Sequence, residues 1–377
     1  MLQVLVTDGD YQNSLAIVRC LGRKKDICVS VLSEQKYSQA GQSRYCKYSY
    51  AVGNPREADY IPRLLALLKT GKFDVLIPVG FASTKTIIEH ARSIENHVKI
   101  PAVSYDKFTI AGFKNLTYEY ARKIGIKVPD EYEKERIKTA RNIQYPLVIK
   151  SVEESGSVQY ACNKNEFFKK FSACQSISSA SKMDPIIQEY IPGNNGYGFY
   201  AFYSRGLLKS YYIHQRIHMF PATGGPSAMA RTCYIKEVYE QGKKLLDSLE
   251  WHGVAMVEFK RHEKSGQFYL MEINPKYWGS LDLGIEAGVE FPYYQVMEAV
   301  NKPYEIKHYK KNVVFRWPIR DLGYALSGKK ISFVINWIID FFRVRDNFRT
   351  EDLKPTFFIL YKYLITNKKH GFRRGIR

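Results

Sequence analysis

The stretch 270-LMEINPKYWGSL-281 carries two polar side chains out of an apolar run and then stops them with proline. In a β-strand, neighbouring side chains point to opposite faces. Glu272 and Asn274 therefore share one face, and Met271 and Ile273 are expected on the other. Pro275 ends the strand, and Lys276 brings a cation to the same opening. The segments 253-GVAMVEFK-260 and 267-QFYLMEIN-274 read as a β-hairpin across RHEKSG. A register that sets Val257 to Phe259 opposite Met271 to Ile273 brings Glu258 onto the polar face. Two carboxylates and an amide oxygen gathered there repel one another unless a cation lies between them. Hard oxygen donors of this kind suit Mg²⁺, which takes few protein ligands and completes its octahedron with water and phosphate oxygens. Taken alone, Glu-x-Asn at a strand end reads more simply as a solvated face, so the surrounding segments decide.

Working outward, 145-YPLVIKSVEESGS-157 is an apolar strand ending in lysine, followed by a polar loop. A helix over about 115–125 stops at Gly125 ahead of Val128-Pro129. A further helix near 164–175 and the strand 185-PIIQEYIPG-193 follow, then strands rich in Tyr and Phe over 197–213. The loop 220-FPATGGPSA-228 leads to a helix near 236–250, with Ser227 as its cap in the simplest structural reading. At the N-terminus, apolar strands at 2–7, 27–32 and 73–80 alternate with helical patterns at 14–24 and 58–70. That alternation predicts an α/β domain with a parallel sheet. The first turn, TDGDYQN, lacks G-x-G-x-x-G and supports no dinucleotide site.

The chain has 377 residues, of which 45% are hydrophobic and 14% aromatic, enough for two or three domains. The net charge of +20 favours anionic partners. From Asn301 to Arg377 there are 18 Lys and Arg against 6 Asp and Glu, so more than half of the excess lies in the last fifth. The six cysteines form no C-x-x-C pair or zinc-finger spacing and read as reduced, mostly buried thiols of a cytosolic protein. The opening MLQVLVTDGD reads as a strand and not as a secretory signal, and no uncharged apolar run reaches the roughly 20 residues of a membrane span. His214 and His218 stand four apart on what could be a helix, but no third ligand accompanies them. No Ser/His/Asp pattern for nucleophilic catalysis is present.

Taken in order, these segments resemble the ATP-grasp enzymes, closest to the carboxylate–amine ligase branch near the carbamoyl-phosphate synthetase large subunit. The resemblance runs through 114-KNLTYEYARKIGIKVP-129, 188-QEYIPG-193, 215-QRIHMFPATGGPS-227 and 279-GSLDLGIEAGVEFP-292, to about Pro303. It implies an α/β fold: a Rossmann-like pre-ATP-grasp domain over 1–107, then a two-lobed α+β ATP-grasp domain over 108–305 with its small lobe at about 125–190. A basic, aromatic helical extension occupies 306–377. It also implies ATP and two Mg²⁺ ions, with Mn²⁺ as an alternative, held by Glu258, Glu272 and Asn274. Lys114 and Lys150 would contact the nucleotide, and Ser155 and Gly156 would belong to a flap over the phosphates. Gln188, Glu189, Tyr190 and Ile191 would form the adenine hinge. An acidic residue that often follows the hinge is replaced by 193-GNNGYG-198, leaving Asn195 as the ribose candidate. Lys276, Arg216 and Arg231 would flank the acyl side, with Lys276 where the family commonly has arginine. The reaction implied is activation of a carboxylate as an acylphosphate, followed by capture with an amine or similar nucleophile.

The alternative is a catalytically weakened nucleotide-binding or membrane-associated scaffold on the same fold. For the tail, 331-ISFVINWIIDFFRVR-345 and 356-TFFILYKYLITNKKHGFRRGIR-377 read first as helices packed on the rest of the chain. The second reading is an amphipathic surface for an anionic membrane, and a cytoplasmic protein peripheral to the bilayer. Nucleic acid is the weakest partner class, since no recognised motif supports it.

Overall fold

The computed structural model describes residues 1–139, 143–153, 158–177, 183–193, 196–221, 224–328 and 331–370. The N-terminal strands are β1 (Leu2–Val6), β2 (Ile27–Ser33), β3 (Cys46–Ala51) and β4 (Val75–Ile77), forming a parallel sheet in the order β3-β2-β1-β4. β1 is apolar on both faces because both are covered. Val4 and Val6 enter one core cluster with the helix Gln12–Gly22, and Leu5 enters another with Leu64 and Ile87. The KYSYA strand β3 has no counterpart in the sequence reading. It is an edge strand with a mostly exposed or half-buried pattern, which hides the alternation that marks the others.

A small antiparallel sheet contains β5 (Leu147–Lys150), β6 (Val158–Ala161) and β7 (Ile186–Glu189), in the order β6-β5-β7. Leu147, Ile149 and Ile187 pack with Phe167 and Phe171 of the helix Lys164–Ile177 to give this layer its own core. The largest sheet holds β8 (Gly196–Ser204), β9 (Leu207–Met219), β10 (Ser227–Cys233), β11 (Gly253–Arg261), β12 (Phe268–Asn274), β13 (Val314–Arg316) and β14 (Arg345–Asp346). Its order is β12-β11-β8-β9-β10-β13-β14. Tyr200, Phe202 and Tyr212 of one face join the core of the N-terminal sheet, while Phe199, Ala201 and Val257 of the other pack beneath the helix Lys236–Ser248.

Four expectations are corrected here. Ser227 begins β10 and does not cap a helix; this strand lies between the 220–228 loop and the helix Lys236–Ser248. His214 and His218 lie on the long strand β9 and not on a helix. The C-terminal extension is not purely helical, because β13 and β14 extend the large sheet. All six cysteines are free, as expected, but only Cys20 and Cys174 are buried and Cys162 is exposed.

The C-terminal segment is clamped to the N-terminal sheet. Arg19, 4% exposed, donates from Nε to Asp352 Oδ2 and from Nη2 to Asp352 O, both at 2.9 Å. Asp352 also accepts from Ser43 Oγ at 2.7 Å and from the Arg44 amide at 2.8 Å. The helix Ile331–Arg343 turns Ile335, Ile338 and Ile339 outward, and the helix Lys354–His370 does the same with Phe357, Leu360 and Tyr361. Among the described residues, no helix is long and apolar enough to cross a membrane.

Candidate functional site

Strand register assembles the site. β11 and β12 pair so that Val257 faces Ile273 and Glu258 faces Glu272, after which the ladder slips and Phe259 faces Leu270. Met271 is the extra residue of this bulge, and a bulge re-aims side chains. Met271 accordingly lines the cavity beside Glu272 and does not share a face with the core residue Ile273, which corrects simple alternation. Met256, Glu258 and Lys260 alternate along β11 and all reach the cavity. Lys260 was therefore legible in 253-GVAMVEFK-260 from parity alone.

The cavity is about 730 Å³. The small sheet contributes Val148, Lys150, Val158 and Tyr160, and the irregular segment that follows β7 contributes Tyr190 and Ile191. The large sheet contributes Arg216, Glu258, Lys260, Glu272 and Asn274, and Lys114 enters from the start of the helix Lys114–Lys123. The wall is completed by 224–227, Lys276 and 278–280. One part is thus apolar and aromatic, and another is charged. Its Lys and Arg residues (114, 150, 216, 260 and 276) outnumber its glutamates (189, 258 and 272), an imbalance suited to a polyanion.

Each facing carboxylate has its own cation. Arg216 Nη2 donates to Glu258 Oε2. Lys114 Nζ lies 3.5 Å from Glu272 Oε2 and also donates to Glu153 O at 3.2 Å. Asn274 Nδ2 donates to Glu272 Oε1 at 2.8 Å. The environments push the pair apart. Burial, with Glu272 adding repulsion, raises Glu258 despite Arg216. For Glu272 burial also opposes ionisation, but Lys114, the Asn274 hydrogen bond and Arg216 outweigh it and lower the carboxyl. Burial, reinforced by Lys114, lowers the Lys150 ammonium to about 8.

The hinge segment divides. Glu189, Tyr190 and Ile191 line the cavity, with Glu189 Oε1 accepting from the Asp130 amide at 3.0 Å and Lys260 Nζ 4.7 Å from the Tyr190 ring centre. Gln188 is fully buried outside the lining, with both amide atoms lacking a hydrogen-bond partner among the described residues. Arg216 lines the cavity but Arg231, on the adjacent strand, does not. Arg231 is exposed and donates to Gln215 Oε1 from Nε at 3.0 Å and Nη2 at 2.8 Å, because its parity on β10 turns it outward. Lys276 lines the cavity and donates from Nζ to Tyr277 O at 3.2 Å. Ser155, Gly156, Asn195 and Thr223 lie outside the described residues.

Sequence reasoning did not find Tyr200, Trp278 and Ser280, which also line the cavity. Behind them His214 Nε2 lies 2.6 Å from Tyr200 Oη, and burial followed by Arg216 holds this imidazole well below its usual range. His218 instead meets Asp321 at 2.8 Å. Among the described residues no cluster of three or more His, Cys, Asp or Glu gathers around a metal-sized point. A divalent ion here would use two carboxylates and the Asn274 amide oxygen, with phosphate and water oxygens completing the shell. The donor types fit that ion, since the carboxylates already hold cations in its place.

A three-stranded antiparallel layer closing over a large, mainly antiparallel sheet, with a charged cleft between them, is the ATP-grasp fold. Within it, residues 221–318 match the family described as "ATP-grasp in the biosynthetic pathway with Ter operon". Solved structures agree on the fold. The biotin carboxylase β-γ-ATP complex from Campylobacter jejuni aligns with a TM-score of 0.67 at 15% identity, over 83% of this chain and 74% of that one. The biotin carboxylase domain of Hydrogenobacter thermophilus 2-oxoglutarate carboxylase, in complex with MgADP, ADP and bicarbonate, gives 0.67 at 15%, over 83% and 73%. An L-amino acid ligase from Bacillus licheniformis gives 0.62 at 14%, over 81% and 75%. No curated protein matches by sequence.

Proposed function

We propose that this chain is an ATP-dependent ligase that activates a carboxylic acid as an acylphosphate and couples it to an amine or similar nucleophile. The observation that carries this reading is the facing pair Glu258 and Glu272, each matched to a cation, inside a cavity that is apolar on one side and lysine-rich on the other. Val148, Tyr190 and Ile191 suit a purine, and Lys114 and Lys150 suit its phosphates as compact point charges. Glu258, Glu272 and Asn274 would hold two Mg²⁺ ions, or Mn²⁺. Bound there, such ions neutralise and align the phosphates for in-line transfer.

On this reading Arg216 and Lys114 change partners when nucleotide binds. They leave the carboxylates they hold in the free protein and turn to phosphate oxygens. A carboxylate oxygen of the acid takes the γ-phosphoryl group as its bond to the ADP oxygen breaks. The nucleophile then attacks the acyl carbon, and phosphate leaves with the bonding electrons. Lys276, beside 278–280, is the cation nearest the acyl side in this scheme. The test is ADP and phosphate release from Mg·ATP with a panel of amino acids and other carboxylates. Release that depends on one acid supports the ligase. Tight nucleotide binding with no acid-dependent release would favour the weakened scaffold.

A second reading concerns the tail. Ile335, Ile338 and Ile339 follow helical spacing and are exposed, as are Phe357, Leu360 and Tyr361 in the next helix. Lysines and arginines exceed acidic residues by 12 from Asn301 onward. An anionic lipid surface complements both features. Co-sedimentation with phosphatidylserine vesicles that falls when Ile335, Ile338 and Ile339 are changed to serine supports this contact; unchanged co-sedimentation dismisses it.

A further inference from the structure

Arg320 is 8% exposed, in the first turn of the helix Pro318–Ser327. Its guanidinium has no side-chain hydrogen bond among the described residues, yet its nitrogens are not among the fully buried polar atoms left without a partner, so they keep contact with open space. A guanidinium so placed keeps donors open to water or to a ligand. The nearest opposite charge is Asp282, itself buried and accepting from Trp317 Nε1 at 3.4 Å. Asp282 steadies Arg320 electrostatically but leaves its donors unfilled. Burial lowers the guanidinium to about 10, with Asp282 pulling the other way, so it stays charged at neutral pH.

What lies in front of Arg320 is Gly279. A Cβ built there would stand 3.6 Å from Nη1 and 4.0 Å from Nη2. Gly279 lines the cavity between Lys276 and Ser280. The absent side chain therefore leaves a gap between a donor-rich fork and the acyl side of the site. Lysine at 276 is a single point charge, whereas a guanidinium offers two parallel donors to the oxygens of a carboxylate or phosphate. Arg320 comes from outside the segment 221–318 that matches the family.

We propose that Arg320 is an anion-binding residue of the acid site, donating through the gap at Gly279 to the paired oxygens of the bound acid or its phosphoryl group. The inference rests on the ligase reading and gives the acyl end the bidentate contact that Lys276 cannot make.

The test uses the full chain saturated with MgADP, titrated separately with inorganic phosphate and acetate by calorimetry. Wild type binds at least one of them in the millimolar range, and the stronger ligand says which oxyanion the fork prefers. Arg320→Gln weakens that binding at least tenfold and leaves MgADP affinity within twofold. Gly279→Val, which fills the gap with Arg320 intact, weakens it likewise. Wild-type binding of MgADP with neither anion, or equal anion affinity in wild type and both variants, overturns the inference alone. No MgADP binding by wild type overturns the ligase reading with it.

Discussion

Glu258 and Glu272 face each other across the β11–β12 ladder, and each leans on a cation from a different part of the chain, Arg216 for one and Lys114 for the other. Two carboxylates so close would otherwise drive one another toward protonation. The two cations oppose that drive, and they leave Glu272 the more acidic of the pair and Glu258 the less acidic.

Changing either member to glutamine preserves shape and removes charge. Glu272→Gln and Glu258→Gln should each lower Mg²⁺-dependent ATP turnover on the order of 10²–10³-fold, the scale for losing one preorganised electrostatic contact. Circular dichroism should be unaltered. Turnover within threefold of wild type in either variant would misplace the metal site.

Lys150 gives a pH dependence with a definite sign. Its ammonium, lowered to about 8 by burial and by Lys114, is charged below that pH and neutral above it. Phosphate oxygens favour the charged form, so nucleotide affinity should fall as pH rises through about 8. Binding just above that pH should take up a proton. Calorimetry in two buffers of different ionisation enthalpy measures the uptake, and Lys150→Met should remove it. Proton release in wild type would contradict the assignment.

The Arg19–Asp352 pair ties the end of the chain to its beginning. Asp352→Ala strands a buried guanidinium and leaves Ser43 and the Arg44 amide without their acceptor. The cost should be about 3–5 kcal/mol, visible as a lower denaturant midpoint. Protease cleavage within 345–370 should also become faster. An unchanged midpoint would mean that the C-terminal segment adds nothing to the fold.

Gly225 is a position where nothing larger fits. A Cβ there would lie 2.1 Å from Phe220 O and 2.3 Å from Pro221 N, backbone atoms that cannot swing aside. Gly225→Ala should impose strain of about 1–3 kcal/mol on the 224–227 wall of the cavity. Steady-state assays should show acid-dependent turnover down about tenfold or more, with little change in far-ultraviolet circular dichroism. Full activity in this variant would separate the loop from the reaction.

The sequence by itself determined what depends on neighbours along the chain. Period-two alternation put Glu272 with Asn274 and could have added Lys260 to Glu258, since side-chain parity is a local property of an extended backbone. The apolar run ending in Lys150 and the β–α alternation at the N-terminus were legible for the same reason. Tertiary structure decided everything that needed two distant segments to meet. Arg216 finds Glu258 42 residues away, and Arg19 finds Asp352 333 residues away. Local periodicity specifies neither meeting. Register slips were equally hidden, because the bulge that turns Met271 into the cavity arises from the pairing of two strands. Arg231 was misjudged because closeness in sequence to the glycine loop says nothing about which face of β10 it takes. Arg320 was invisible because its approach to Gly279, 41 residues earlier, is a property of packing alone.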